Sequence, residues 1–293
     1  MITELTIKNR ERSPFTFANI NLLGKCNMDC GFCLGKDLEE EFAKYDNLST
    51  HFSQWVNFDN FLDLCRKHWI PQIYVTGQNT DSLLYHHLEE LIAFLKIQGF
   101  FVGIRTNGLL ARKKIDIVNQ CTTCWGDAVS YSVHTLTPDT MQKMVGIANP
   151  PGGGSWEEYW TWVIQNTTAK LRVAIVLTRH NADEVMNLID FLSCFHNVEY
   201  IQVRKVSTDH RIEILAPDLD AFENFVDKLN AENIPYEWFE KSKVYSIFGK
   251  KVSLWRTVGT SVNSVNFFTN GICSSEYFII EGYEKAAGLK STK

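Results

Sequence analysis

"FANINLLGKCNMDCGFCLG", residues 17–35, runs an apolar stretch of strand length into a loop that carries Cys26, Cys30 and Cys33, with Phe32 just before the last. Three thiolates in so short a loop, with no fourth nearby, need an explanation. Iron–sulfur clusters are held by cysteine thiolates and a cubane has four irons, so three cysteines leave one iron open. A structural zinc site takes four ligands, usually as two close pairs. Its completion would have to come from Cys121 and Cys124 ("CTTC") or from His51. The "CTTC" pair precedes the fourth expected strand, which puts it at the opposite end of the fold from a loop that follows the first.

Downstream, strand-length apolar stretches alternate with helical patterns. Strands are expected at 71–77 ("PQIYVTG"), 100–108 ("FFVGIRTNG"), 127–135 ("DAVSYSVHT"), 171–178 ("LRVAIVLT") and 199–206 ("EYIQVRKV"). Helices are expected at 57–69, 82–99, 138–146, 156–168, 183–195 and 217–232. Thr80 or Asp81 caps the second helix, Gly99 ends it, and Pro138 opens the third. The loop "NPPGGGS" (149–155) supports neither period. Buried strands read as continuous apolar runs, and helical crossovers between them are right-handed. The sum is an α/β fold in which residues 1–233 form a partial (β/α)6 barrel, with chemistry at the C-terminal strand ends. From Ile234 the pattern changes to short β-like pieces, the last of them ("SVNFFTNGICSSEYFIIEG") a hairpin turned at Asn270-Gly271. Residues 234–293 are expected as a C-terminal β-rich appendage or lid with a frayed tail.

The motif Cys26-x3-Cys30-x2-Cys33, with Phe32 before the third cysteine, on the loop after the first strand of a βα-repeat chain, resembles the cluster motif of the radical S-adenosylmethionine (SAM) superfamily. The resemblance covers about residues 15–232. It implies a partial (β/α)6 barrel, a single [4Fe–4S] cluster on Cys26, Cys30 and Cys33, and S-adenosyl-L-methionine chelated to the open iron. A flavodoxin- or ferredoxin-type reductant would supply one electron. SAM would then be cleaved to methionine and a 5′-deoxyadenosyl radical that abstracts a substrate hydrogen.

The same resemblance implies the cofactor-binding residues. Family members often carry Gly-Gly-Glu-Pro after the second strand, where this chain has Thr76-Gly77-Gln78-Asn79. Gly77 suits close backbone approach. Gln78 departs from the pattern, offering an amide oxygen where a carboxylate is usual; Asp81 either compensates or caps the following helix. Ser132 matches a fourth-strand serine that contacts the SAM ribose or carboxylate, and Asn181 a fifth-strand position that holds the ribose. Asn107 in "RTNG" serves the cofactor or the turn. Arg105, His134, Arg179, His180, Arg204 and Lys205 stand at or near strand ends, where a group of basic side chains suits an anion: the SAM carboxylate, or a substrate phosphate or carboxylate. Arg204 leads for the cofactor; Arg105, His134, Arg179 and Lys205 are assigned to substrate.

A net charge of −5 argues against a general polyanion binder, so nucleic acid is not an expected partner. The stretch "MITELTIKNRERSPF" lacks a signal-like apolar core and no run is long enough to cross a membrane, which points to the cytoplasm. Eight cysteines are too sparse for a disulfide scaffold. Cys65 and Cys194 lie in helical patterns and read as core, while Cys273 reads as an idle thiol, a radical relay or an auxiliary ligand. The expected function is a radical SAM enzyme acting on an anionic small molecule or nucleotide. The alternatives are a peptide maturase or glycyl-radical activating enzyme of the same superfamily, or a noncatalytic iron–sulfur or zinc-binding module.

Overall fold

Six strands of the repeat form one parallel wall in chain order: β1 (Phe17–Leu22), β2 (Gln72–Gly77), β3 (Phe101–Thr106), β4 (Val129–Ser132), β5 (Leu171–Leu177) and β6 (Val198–Lys205). The computed structural model describes residues 17–124, 126–208, 210–239, 242–256, 264–276 and 279–289; the N-terminal stretch and the last tail residues considered above lie outside them. The strands alternate in character rather than running continuously apolar. Ala18, Ile20, Ile73, Val75, Val102, Ile104, Val129, Val173, Ile175, Ile201 and Val203 turn outward into the layer shared with the helices. Positions one residue away carry Asn19, Asn21, Tyr74, Thr76, Arg105, Ser130, Ser132, Arg172, Gln202 and Arg204 on the inner face. The inner wall of this sheet is therefore polar, in contrast to the packed apolar interior of a closed barrel.

The segment after residue 233 joins the wall at both edges. A hairpin of β8 (Ser242–Ile247) and β9 (Lys250–Trp255) brings β9 parallel to β6, with β7 (Tyr236–Phe239) outermost. On the other side, β10 (Ser264–Phe268) lies parallel to β1 and turns at Asn270-Gly271 into β11 (Cys273–Ser274). Among the described residues the sheet has eleven strands and stays open, ending at β11 and β7. Phe267 anchors β10 at the β1 edge, its ring 5.1 Å from that of Phe61 and 5.5 Å from that of Phe58.

Three local departures have identifiable causes. The piece "IIEG" (279–282), expected as part of a β hairpin, belongs to a helix, Ile279–Ala287, whose Ile280 and Tyr283 pack on Leu23, Phe42 and Phe268. The second helix starts at Leu88, because Asp81 caps only a single turn, Ser82–Leu84, before Tyr85 becomes extended and donates its hydroxyl to the Thr50 carbonyl at 3.0 Å. The last repeat helix begins at Ile212 and takes Pro217 into its second turn. No helix among the described residues is long and apolar enough to cross a membrane.

If the C-terminal strands are part of the core, removing Phe267 must loosen the whole wall. Phe267→Ala should lower stability by about 3–5 kcal/mol, read by urea unfolding, and a single cooperative transition should persist. An unchanged midpoint would mean that β10 can detach without cost to the barrel.

Candidate cluster and cofactor site

Between Leu22 and Leu34 the chain forms neither helix nor strand, so its backbone groups need partners from elsewhere. The strand ends supply them. Gly24 N–H donates to Asn79 Oδ1 (3.1 Å), Thr80 Oγ1 donates to the Lys25 carbonyl (3.1 Å), and Asn107 Nδ2 donates to Asn27 Oδ1 (2.8 Å). Asp29 and Gly31 N–H groups donate to the Val145 and Met144 carbonyls, at the end of the helix Pro138–Val145. Two glycines permit the closest approach. A Cβ on Gly35 would lie 2.4 Å from the Gln78 carbonyl oxygen, and one on Gly77 would lie 1.9 Å from that of Thr80. The turn after β2 and the turn after Cys33 thus pack backbone to backbone, with Cys33 Sγ 4.0 Å from the Gln78 carbonyl.

Cys26, Cys30 and Cys33 are half-buried, and burial pushes the Cys26 thiol up to about 11 and raises the other two. As thiolates the three sulfurs also lie close enough to repel one another. Backbone N–H groups of Asn27 and Met28 at Cys26, and of Gly35 and Lys36 at Cys33, oppose the shift. Desolvated thiols grouped this way, with N–H donors aimed at sulfur, fit a cationic iron–sulfur core that neutralises them together.

The neighbouring side chains sort into those that face this loop and those that do not. Asn107 makes the turn, its Oδ1 accepting from Leu109 N–H (3.0 Å), and its Nδ2 lies 3.9 Å from Cys26 Sγ. Thr76, Ser132 and Arg204 are half-buried on the inner face. His134 is buried, its Nδ1 accepts from Val176 N–H (3.2 Å), and its ring meets the edge of Phe32 at 5.0 Å. Burial and the neighbouring Arg204 push its pKa down to about 4, so the ring is neutral near pH 7.

Other residues have different work. Asp81 is fully enclosed, which raises its pKa; its carboxylate accepts from Leu83 N–H, Asn107 N–H and Thr106 Oγ1, tying β2 to β3 and capping a turn. Asn79 offers its oxygen to the cysteine loop. Asn181, expected at a ribose, is wholly buried: Nδ2 donates to the His134 and Val176 carbonyls and Oδ1 accepts from Thr178, which ties β4 to β5. Arg105 points down the inner wall to Asp127, just before β4, with its guanidinium 3.7 Å from the centre of the Tyr74 ring. Tyr200 Oη donates to Asp127 as well (2.8 Å), and Arg172 bonds Ser130 and Gln202, so these residues form a polar floor. Lys205 turns outward to Glu223 (2.7 Å), one residue from inward-facing Arg204. Arg179 is half-exposed beside Asp218.

Neither zinc completion assembles. Cys124 lies against Gln72, the first residue of β2, at the far end of the barrel, with its N–H 3.3 Å from Gln72 Oε1. His51 sits with His87 around Glu90, at 3.3 and 3.2 Å. Sequence reasoning missed Asp37, Thr208 and Arg211, which meet behind the cysteine loop. No motif marks them, and Arg211 is 174 residues from Asp37.

The open parallel wall and the three-cysteine loop at its C-terminal ends define a class, and a model of the radical SAM superfamily matches residues 20–192. The chain belongs to that superfamily, whose enzymes use a [4Fe–4S] cluster and SAM. It is 23% identical over 203 residues to a GTP 3′,8-cyclase of Aquifex aeolicus, covering 66% of this chain and 59% of that one. To a probable GTP 3′,8-cyclase of Saccharolobus solfataricus it is 25% identical over 241 residues, covering 81% and 69%. Among solved structures, SuiB of Streptococcus suis aligns at a TM-score of 0.56 and 13% identity over 99% of this chain and 66% of its own. The enzyme anSMEcpe with bound AdoMet and a peptide aligns at 0.56 and 11% identity over 92% and 76%. These structural likenesses show the fold.

Two outcomes test the site. Alanine at Cys26, Cys30 or Cys33 should abolish iron and sulfide uptake on anaerobic reconstitution, whereas Cys124→Ala should leave it unchanged. Because folded His134 stays neutral until about pH 4 while an unfolded histidine protonates near 6.5, the unfolded chain binds more protons in that window. The contribution is full above about pH 6.5 and is lost as pH falls toward 4; His134→Gln should therefore flatten the acid limb of stability measured by urea unfolding.

Proposed function

We propose that this protein is a radical SAM enzyme acting on an anionic small molecule or nucleotide at the mouth of the barrel. The observation that carries this reading is the cysteine loop stitched to the ends of β2 and β3 above a polar inner wall that carries Arg204. Cys26, Cys30 and Cys33 hold the cluster; Thr76, Gly77 and the Gln78 carbonyl line the methionine end of SAM, with Ser132 across the opening. The bound cluster and SAM supply hydrogen abstraction through the 5′-deoxyadenosyl radical, fed by one electron from a flavodoxin- or ferredoxin-type donor.

The chain's own residues set what enters. Arg204 places a guanidinium beside a neutral His134 on the inner face. Asn21 Oδ1 and Ser253 Oγ, buried without a partner among the described residues, lie on strands of the same wall and suit a ligand rich in hydroxyl and amine groups. The names of the curated relatives, two GTP cyclases and a nucleotide dehydratase 30% identical over 110 residues, favour a nucleotide among such ligands. Eight free thiols suit a reducing compartment such as the cytoplasm.

The test is formation of 5′-deoxyadenosine by the reconstituted, reduced protein across a panel of nucleoside triphosphates, sugar phosphates and short peptides. A nucleotide or phosphorylated metabolite should stimulate it, and stimulation by peptides alone would overturn the substrate class. With the stimulating compound, Arg204→Met should raise KM about tenfold or more, the worth of one hydrogen bond to a charged group. Lys205→Met, altered on the outer face, should stay within about twofold, as surface ion pairs contribute little.

A further inference from the structure

After β6, Thr208, His210 and Arg211 meet the cysteine loop and the Asp37 that follows it. Arg211, at the start of the helix Ile212–Ala231, donates from Nη1 to the Gly31 carbonyl (2.9 Å) and from Nη2 to the Cys33 carbonyl (2.6 Å). Its Nε donates to Asp37 Oδ1 at 2.7 Å. The Asp37 side chain is fully buried and that of Arg211 is only 16% exposed. Asp37 also accepts from Thr208 Oγ1 (2.9 Å) and His210 N–H (3.3 Å), and Thr208 Oγ1 in turn accepts Arg211 N–H (3.0 Å). Behind this, His210 Nε2 lies 3.1 Å from Glu284 Oε1 on the C-terminal helix.

Two features separate this arrangement from an ordinary ion pair. The guanidinium's two free arms end on backbone carbonyls inside the ligand motif itself. Those carbonyls bracket Phe32, whose ring rests on His134, so one side chain fixes the third ligand and the aromatic beside it. A planar guanidinium fork sets direction as well as distance, which an ammonium does not. Its charge also lies next to a centre that gains negative charge on reduction, and an outer-shell cation favours the more negative state.

We propose that Arg211, seated by Asp37 and Thr208, is a positioning residue for the cluster: it holds the Gly31–Cys33 turn in its ligating shape and eases the cluster's one-electron reduction. The proposal rests on the assignment of Cys26, Cys30 and Cys33 to a [4Fe–4S] cluster. The electron comes from the flavodoxin- or ferredoxin-type donor and stays on the cluster in this step, so no other group is oxidised or reduced.

The experiment uses the full chain, reconstituted anaerobically with ferrous iron and sulfide, as wild type, Arg211→Gln, Arg211→Lys and Thr208→Val. Three quantities are read: iron retained under a chelator, the midpoint of cluster reduction in a titration followed by electron paramagnetic resonance, and the line shape of the reduced signal. Arg211→Gln should lose iron roughly tenfold faster, in the range that outer-shell changes cost, and its midpoint should move to lower potential. Arg211→Lys should recover most of the midpoint but not the chelator resistance, since it restores charge without the fork. Thr208→Val should lose iron faster at a nearly unchanged midpoint. A folded Arg211→Gln with wild-type midpoint and iron retention overturns the proposal. If Arg211→Gln does not fold, Arg211→Lys and Thr208→Val decide, and wild-type iron retention in both overturns it. A wild-type chain that takes up no cubane overturns the cluster assignment itself, an outcome distinct from variants that load and behave as wild type.

Discussion

A loop that must hold three sulfurs together without a helix or strand of its own takes its rigidity from whatever surrounds it. The residues from Gly24 to Cys33 are met on one side by the turns after β2 and β3, and on another by the end of the helix Pro138–Val145. Behind them stands Arg211. The barrel wall serves this purpose: parallel strands deliver six consecutive ends to one rim, so loops far apart in the chain become neighbours of a single site. The cost is that each thiol sits where burial disfavours its anion. A strongly cationic occupant would relieve that for all three at once.

The second constraint is charge placement on the inner wall. Arg105 and Arg172 face the lumen, yet they are engaged low in the barrel by Asp127, Ser130 and Gln202, and Arg105 stacks on Tyr74. Burial, and after it the neighbouring Arg172 guanidinium, lowers the pKa of Arg105 to about 10, which leaves it still a cation near neutral pH. Such a floor stiffens the open sheet and closes its lower end with hydrogen bonds instead of packed aliphatic layers. Arg204, in register with Val176 and Trp255, lies nearer the rim.

Much of this was legible in the chain because its signals are local. The cysteine spacing, the βα period, the Asn270-Gly271 turn and Asp81 as a cap can each be read within a dozen residues. What failed needed a second coordinate. Strand sidedness has a period of two, so Arg204 and Lys205, adjacent in sequence, face opposite layers, and position at a strand end could not separate them. Asn181 stands where a ribose contact was expected, but its amide is consumed in joining two strands. Arg105 is near the end of β3 but in register with Ser130, only two residues into β4, because the strands are staggered. The inward polar positions were hidden by apolar neighbours that made each strand look continuously buried.

The contribution of the C-terminal segment follows from the same geometry. Six repeat strands cannot close a barrel, so both edges would expose unpaired backbone beside the site, and β9 and β10 cover them in parallel register. The helix that follows does more than fill space. Tyr283 packs against Phe42, immediately downstream of the cysteine turn, with ring centres 4.9 Å apart, while Glu284 meets His210 one residue before Arg211. The end of the chain thus touches the cysteine loop's support from two directions. A segment that looks peripheral in sequence is structurally part of the wall that shapes the site.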